Sequence, residues 1–351
     1  MEFLFYYGLF IAKIVTVAIV VIVVVAIVAS LTGKNKSHTK GRIETTNLND
    51  QYKDMFETIR ATVLSPEEVK NEFKEEQKRL KAESKSNKKA LKAGDKLPTK
   101  KRLFVLDFDG DIKASDVEKL KHCVSAVLHV ATAQDEILLK LESGGGMVHS
   151  YGLASSQLDR IRSKGIPLTV SVDKVAASGG YMMACVADKI IAAPFSIIGS
   201  IGVVAQLPNF HKLLKKHDVD FEMYTAGEYK RTLTMFGENT DKGREKFLED
   251  LDKTHVLFKD FVSSHRASVN ISEVATGEVW YGSQAKEIGL IDELSTSDAY
   301  ITDHLDSCDV IAVDYVIKKN MMERFGSSVS VGVDQLAVKW ISRLFQSHPK
   351  A

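Results

Sequence analysis

From residue 101 onward the chain alternates between short apolar runs and longer stretches that carry an apolar stripe. Leu103-Phe104-Val105-Leu106, Ile137-Leu138-Leu139-Lys140-Leu141, residues 167–172 and residues 189–192 are runs of strand length. Between them, residues 115–133, 147–163 and 178–187 show helical spacing. This βαβα rhythm predicts an α/β fold, a mainly parallel sheet flanked by helices. Further on, the pattern predicts a strand over 220–225 and a long helix over 240–266 with Phe247, Leu251, Phe258 and Val262 on one face. A strand over 310–317 and a short amphipathic helix over 335–345 complete the chain.

The first hundred residues are patterned differently. Residues 14–31 carry no charge and apolar character reaches back to Phe3, interrupted by Lys13. That is enough to cross a hydrocarbon layer of roughly 30 Å. The stretch begins Met-Glu and runs into Gly33-Lys34 without a small-residue cleavage site, so it reads as a retained anchor over 1–33 rather than a signal peptide. Tyr52, Met55, Phe56, Ile59 and Val63 then predict an amphipathic helix over 50–64. Ser65-Pro66-Glu67-Glu68 has the form of a fresh helix start, with Ser as cap and Glu closing a capping box. From there to Lys92 the chain is mostly Lys and Glu, a solvated spacer that Gly94 and Pro98 close. The expected organisation is an anchor (1–33), a charged helical spacer (34–100), an α/β domain (101–318) and a tail (319–351). Residues 179–207 are apolar enough to resemble a second span. Asp188-Lys189, Pro194, Gly199 and Gly202 break them, and a buried helix followed by a buried strand fits better.

Composition narrows the class. A chain of 351 residues can build one large domain or two modest ones, and a net charge of +1 gives no reason to expect nucleic acid. The three cysteines, Cys123, Cys185 and Cys308, are odd in number and widely spread, which excludes a disulfide scaffold or a zinc knuckle.

Candidate chemistry centres on Ala177-Ser178-Gly179-Gly180-Tyr181, which comes after the strand over 167–172. Small residues let another backbone approach Ser178 closely, and a helix starting there offers free backbone amides. Two readings fit: a nucleophile beside its own oxyanion donors, or a capping serine at a tight crossing. Glu142-Ser143-Gly144-Gly145-Gly146-Met147 lies at the carboxyl end of another strand, where sites form in parallel sheets. It lacks the spacing of a phosphate-binding loop, and an oxyanion hole is the other reading. No G-x-S-x-G elbow surrounds Ser178. His211, His217, His255 and His265 sit on polar or helical stretches with no orienting carboxylate pattern. Lys230, in Gly227-Glu228-Tyr229-Lys230, could point inward as a base or remain a surface lysine.

Taken together these residues resemble the signal peptide peptidase A/SohB family of membrane-bound serine–lysine proteases. The resemblance runs from the anchor to about residue 300. It rests on Ser143-Gly144-Gly145-Gly146, Ala177-Ser178-Gly179-Gly180-Tyr181, Gly199-Ser200-Ile201-Gly202-Val203, Gly227-Glu228-Tyr229-Lys230 and Ala285-Lys286-Glu287-Ile288-Gly289-Leu290-Ile291-Asp292. It implies a ClpP/crotonase-like βαβ superhelix. Ser178 matches the nucleophile, Lys230 the general base and Ser200 the residue that orients the lysine. Gly145, Gly146 and the Gly179 amide match the oxyanion hole. Gly144 departs from the family pattern, where proline is common. A lysine acts as a base only as the neutral amine, and burial among Ile197, Ile198 and Val203 with Ser200 bonded to the amine is the expected means.

The implied activity is serine endopeptidase hydrolysis of signal-peptide remnants or misfolded proteins, with no cofactor and no metal. The implied partners are peptide or unfolded protein substrates, the lipid bilayer and further copies in a homo-oligomer. Two other classes remain open: a catalytically silent membrane scaffold on the same fold, and a crotonase-like acyl-CoA enzyme. The resemblance implies a single pass through the bacterial inner membrane with the catalytic domain in the periplasm. Lys34, Lys36, Lys40 and Arg42 after the anchor, against Lys13 before it, argue for the cytoplasmic side.

Overall fold

Leu103 to Leu106 are all buried because the strand they form lies inside a sheet covered on both faces. The computed structural model describes residues 41–65 and 100–317, together with individual helical residues within 6–17 and 67–85. In chain order the strands are β1 (Arg42–Asn47), β2 (Lys101–Gly110), β3 (Glu136–Ser143), β4 (Leu168–Val172), β5 (Val175–Ala177), β6 (Lys189–Ala192), β7 (Ile197–Gly199), β8 (Val279–Tyr281), β9 (Glu293–Leu294) and β10 (Cys308–Val316). The helices are α1 (Leu48–Val63), α2 (Val117–Val130), α3 (Val148–Arg162), α4 (Gly179–Ala184), α5 (His211–Lys216), α6 (Asp241–His265), α7 (Ile271–Val274), α8 (Gly282–Glu287) and α9 (Ser297–His304). The mixed α/β class expected from the apolar rhythm is present, and the run over 179–192 is a buried helix followed by a buried strand.

The main sheet has the order β1-β10-β2-β3-β4-β6-β9. Residues of α2, α3 and α4 pack with Phe104, Leu106 and Phe108 on one face, while Leu103 and Val105 meet Leu48 and Tyr52 of α1 and Ile301 of α9 on the other. At its carboxyl end the sheet forks. Residues Ile137–Lys140 of β3 pair with β4, but Ser143 pairs with Ala176 of β5. Strand β5 then pairs in parallel with β7, bringing Ala177 opposite Gly199, and β8 closes this side sheet antiparallel to β7. The fork positions the site, because three chain segments leave it side by side.

Several expectations differ from the structure. The expected spacer runs to about residue 100, but the larger of two compact units is Ile43–Tyr315. Strand β1 joins the sheet beside β10, and Asn49 of α1 donates through Nδ2 to the carbonyls of Leu305 and Cys308 (2.7 and 3.0 Å) while its Oδ1 accepts from the Val310 amide (2.7 Å). Asn49→Ala strips three backbone groups of their partner, so it should lower stability by about 2 kcal/mol, read as a shift in urea midpoint. The capping box is present: the Ser65 amide and hydroxyl both donate to Glu68 (2.9 and 2.8 Å). No strand forms over 220–225, where Phe221 and Met223 remain exposed. The tail helix over 335–345 and most of the anchor over 1–33 lie outside the described residues. Among the described residues, no helix is long and apolar enough to cross a membrane.

Candidate active site

Ser178 sits between β5 and α4 with φ 53° and ψ −118°, a conformation that a residue carrying a Cβ rarely adopts. Its backbone is held on both sides. The Ser178 amide donates to the Gly199 carbonyl (2.7 Å), and its carbonyl accepts from the Met182 amide (2.9 Å). The sequence permits so sharp a turn because the next two residues are glycines. A Cβ on Gly179 would lie 2.4 Å from Cγ of Tyr151, and one on Gly180 would lie 2.5 Å from the Ser143 carbonyl oxygen. With six residues α4 is shorter than the expected helix over 178–187, so the local amides matter here rather than a long macrodipole.

The register Ser143↔Ala176 lays the glycine loop directly against this turn. Gly145 has φ 86°, and a Cβ there would lie 2.7 Å from each of the Ala177 carbonyl, the Gly179 amide and Ser178 Cβ. Its own amide points inward and donates to Ser143 Oγ (3.1 Å). Gly146 is next, and then Met147, whose amide donates to the Ile112 carbonyl (2.9 Å). Among the described residues the amides of Gly146 and Gly179 have no acceptor. Of the three glycines expected to form an oxyanion hole, Gly146 and Gly179 therefore have free donors. Gly145 supplies the close approach while its amide is engaged.

Half-buried Ser178 opens into a cavity of about 280 Å³ lined by Val148, Gly152, Met182, Val203, Leu257 and Phe258, with Gly146 and Gly179 at its edge. Sequence reasoning misses the wall from α6. An apolar helix face reads from sequence as core, and only its packing over β5–α4 turns it into a pocket wall. Ser200 comes directly after β7 and thus lies next to the Ser178 turn. Its backbone also has positive φ (52°), and its amide donates to the Glu278 carbonyl (2.6 Å).

Lys230 is elsewhere. It is exposed, not buried among Ile197, Ile198 and Val203, and forms no hydrogen bond with Ser178 or Ser200. It lines a separate cavity of about 750 Å³ with Leu207, Phe221, Met223 and Tyr224. The cause is the docking of its turn on the start of α6. Glu228 accepts from Lys242 (2.6 Å), and Lys242 and Lys246 lie over the Tyr229 ring (5.9 and 5.5 Å). Thr254 to Phe261, which wall the Ser178 cavity, are further along the same helix. A rise of 1.5 Å per residue puts roughly 15–20 Å between the two regions of α6. Of the histidines, His255 contacts the Ile201 carbonyl (3.3 Å) and His265 pairs with Asp159 (3.1 Å), and neither lines the Ser178 cavity. All three cysteines are buried and free.

Residues 2–158 match the N-terminal domain of peptidase family S49, and residues 160–310 match the peptidase family S49 domain. The chain belongs to peptidase family S49. The chain is also 50% identical over 322 residues to the probable protease SohB of Haemophilus influenzae, covering 91% of each chain. It is 47% identical over 339 residues to the probable protease SohB of Buchnera aphidicola, covering 97% of this chain and 98% of that one. A solved structure of the 1510-N membrane-bound stomatin-specific protease, a mutant in complex with a substrate peptide, aligns with a TM-score of 0.40 at 13% identity, over 66% of this chain and 99% of that chain. The S49 assignment makes the chain a peptidase.

Proposed function

We propose that this peptidase is a membrane-anchored serine endopeptidase on a ClpP/crotonase-like βαβ superhelix, with Ser178 as nucleophile and Lys230 as general base. The observation that carries this is the strained Ser178 turn beside two unpartnered amides at the mouth of an apolar cavity. Ser178 Oγ attacks the substrate carbonyl and gives its proton to the neutral lysine amine. The amides of Gly146 and Gly179 hold the tetrahedral oxyanion. The lysine returns the proton to the departing amine as the C–N bond breaks, and water cleaves the acyl-enzyme by the same route. Ser200 orients the amine. The cavity accepts an apolar side chain next to the scissile carbonyl, which suits signal-peptide remnants and misfolded membrane segments.

Because Lys230 and Ser178 lie apart within one chain, we assign the base to a neighbouring copy in a homo-oligomer. Exposed Leu207, Phe221, Met223 and Tyr224 around Lys230 support an assembly that buries them. The anchor is residues 1–33. We place the catalytic domain in the periplasm, and an active alkaline phosphatase fused to the C-terminus is the expected result for that topology.

The test uses the full-length chain in detergent with casein as substrate. Ser178→Ala and Lys230→Ala should each lose activity by more than about a thousandfold, and assembling the two variants together should restore part of it. Unchanged activity in Ser178→Ala overturns the nucleophile, and unchanged activity in Lys230→Ala overturns the base. The separation of the two residues also favours a second reading, a silent scaffold. A wild type that cleaves nothing supports it.

A further inference from the structure

We infer that Ser143 and Tyr151 form a hydrogen-bond relay that aims the oxyanion donor of Gly146, making both of them positioning residues for hydrolysis. The relay has one direction. The Gly145 amide donates to Ser143 Oγ (3.1 Å). The Tyr151 hydroxyl donates to the Asp111 carbonyl (2.7 Å). Its single proton is then spent, so across the 2.5 Å contact between the two hydroxyls Ser143 is the donor, with the Gly110 carbonyl a second, longer acceptor for the serine proton at 3.3 Å. Gly145 N–H, Ser143 O–H, Tyr151 O–H and the Asp111 carbonyl thus make a chain in which every proton has an acceptor. Tyr151 is fully buried, and burial raises the pKa of its phenol, so the hydroxyl stays protonated.

The two ends of the chain explain its purpose. Ile112, beside Asp111, accepts from the Met147 amide (2.9 Å). The glycine loop is therefore pinned to the 111–112 segment twice, through Tyr151 on the Gly145 side and through Met147 on the other. Gly146 lies between the pins with its amide free. With the Gly145 amide engaged, the free amide beside the Ser178 cavity is that of Gly146, which lines it. Tyr151 also touches the second donor, since its ring lies under Gly179. One side chain thereby fixes the spacing of both amides. An oxyanion donor works only when held within tenths of an ångström of where charge develops.

This inference rests on Ser178 and Gly146 acting as proposed above. Tyr151→Phe keeps the ring under Gly179 and removes the hydroxyl, while Ser143→Ala removes the middle link. In the full-length protein acting on a fluorogenic peptide, each should lower kcat by about ten- to a hundredfold with KM changed less than about twofold. Inhibition by a peptide aldehyde, whose hemiacetal oxygen occupies the same hole, should weaken in parallel. The double variant should be no worse than the poorer single, because both cut one relay. If Ser178→Ala is dead while Tyr151→Phe, or a Ser143→Ala control where Tyr151→Phe does not fold, turns over at the wild-type rate, the relay is wrong and the nucleophile stands. Losses confined to KM, or effects that multiply in the double variant, overturn it as well. Full activity in Ser178→Ala overturns both.

Discussion

Ser178→Gly should give an inactive protein that is more stable than the wild type. At φ 53° and ψ −118° the serine Cβ crowds its own backbone, a strain of about 1–3 kcal/mol. Glycine occupies this region freely. It returns about 0.5–1 kcal/mol of that gain because its unfolded chain is more flexible. A net stabilisation of about 1 kcal/mol is expected, read as a higher urea midpoint at unchanged m-value. Ser178→Ala is the control: it removes the same hydroxyl, retains the Cβ and should show no comparable gain. The difference between the two isolates the backbone term. A glycine variant no more stable than the alanine variant would show that the turn is relaxed, not strained for function.

Gly146→Ala should reduce kcat by about 10²–10³-fold, the loss typical of removing one oxyanion donor. The added Cβ would lie 2.1 Å from the Ile112 carbonyl oxygen and 2.6 Å from its carbon. Both are backbone atoms and cannot swing aside. The loop must move, breaking the bond from the Met147 amide to Ile112 and turning the Gly146 amide off target. Gly144→Ala provides the contrast, since a Cβ there meets nothing within 4 Å. It should change kcat less than about twofold, even though residue 144 lies in the same glycine run. Equal losses at both positions would mean that the loop acts through general flexibility and not through one aimed amide.

How far the sequence foretells this arrangement depends on what each signal is local to. The strands β2, β3, β4 and β6 are legible because a strand buried on both faces is a run of apolar residues, whatever packs on it. The capping box at Ser65 is legible because it closes within four residues. Strand β1 is not. Arg42-Ile43-Glu44-Thr45-Thr46-Asn47 is almost wholly exposed, an edge strand held by its pairing with β10 far along the chain, so it carries no apolar alternation. The expected strand over 220–225 shows the converse. Phe221 and Met223 alternate as strand residues would, but no strand among the described residues pairs with them.

Ser178 and the glycine loop can be paired from their places at successive strand ends, but the fork that unites them is a matter of register, visible only as Ser143↔Ala176. Lys230 marks the limit. Its position comes from Glu228 and Tyr229 docking on Lys242 and Lys246, contacts that spacing does not encode. From sequence Tyr151 is one more residue of a helix. Its hydroxyl gains meaning only with Ser143 standing 2.5 Å away.

The most direct measurement is covalent labelling of the full-length protein with a fluorophosphonate, then peptide mass spectrometry. Such a reagent reacts with an activated serine whose oxyanion is stabilised, and ordinary surface serines leave it untouched. The expected result is one adduct, on Ser178, absent from Ser178→Ala and formed far more slowly in Gly146→Ala. An unlabelled Ser178 in a preparation that still cleaves casein, or an adduct on another serine, would contradict the assignment of this turn as the catalytic centre.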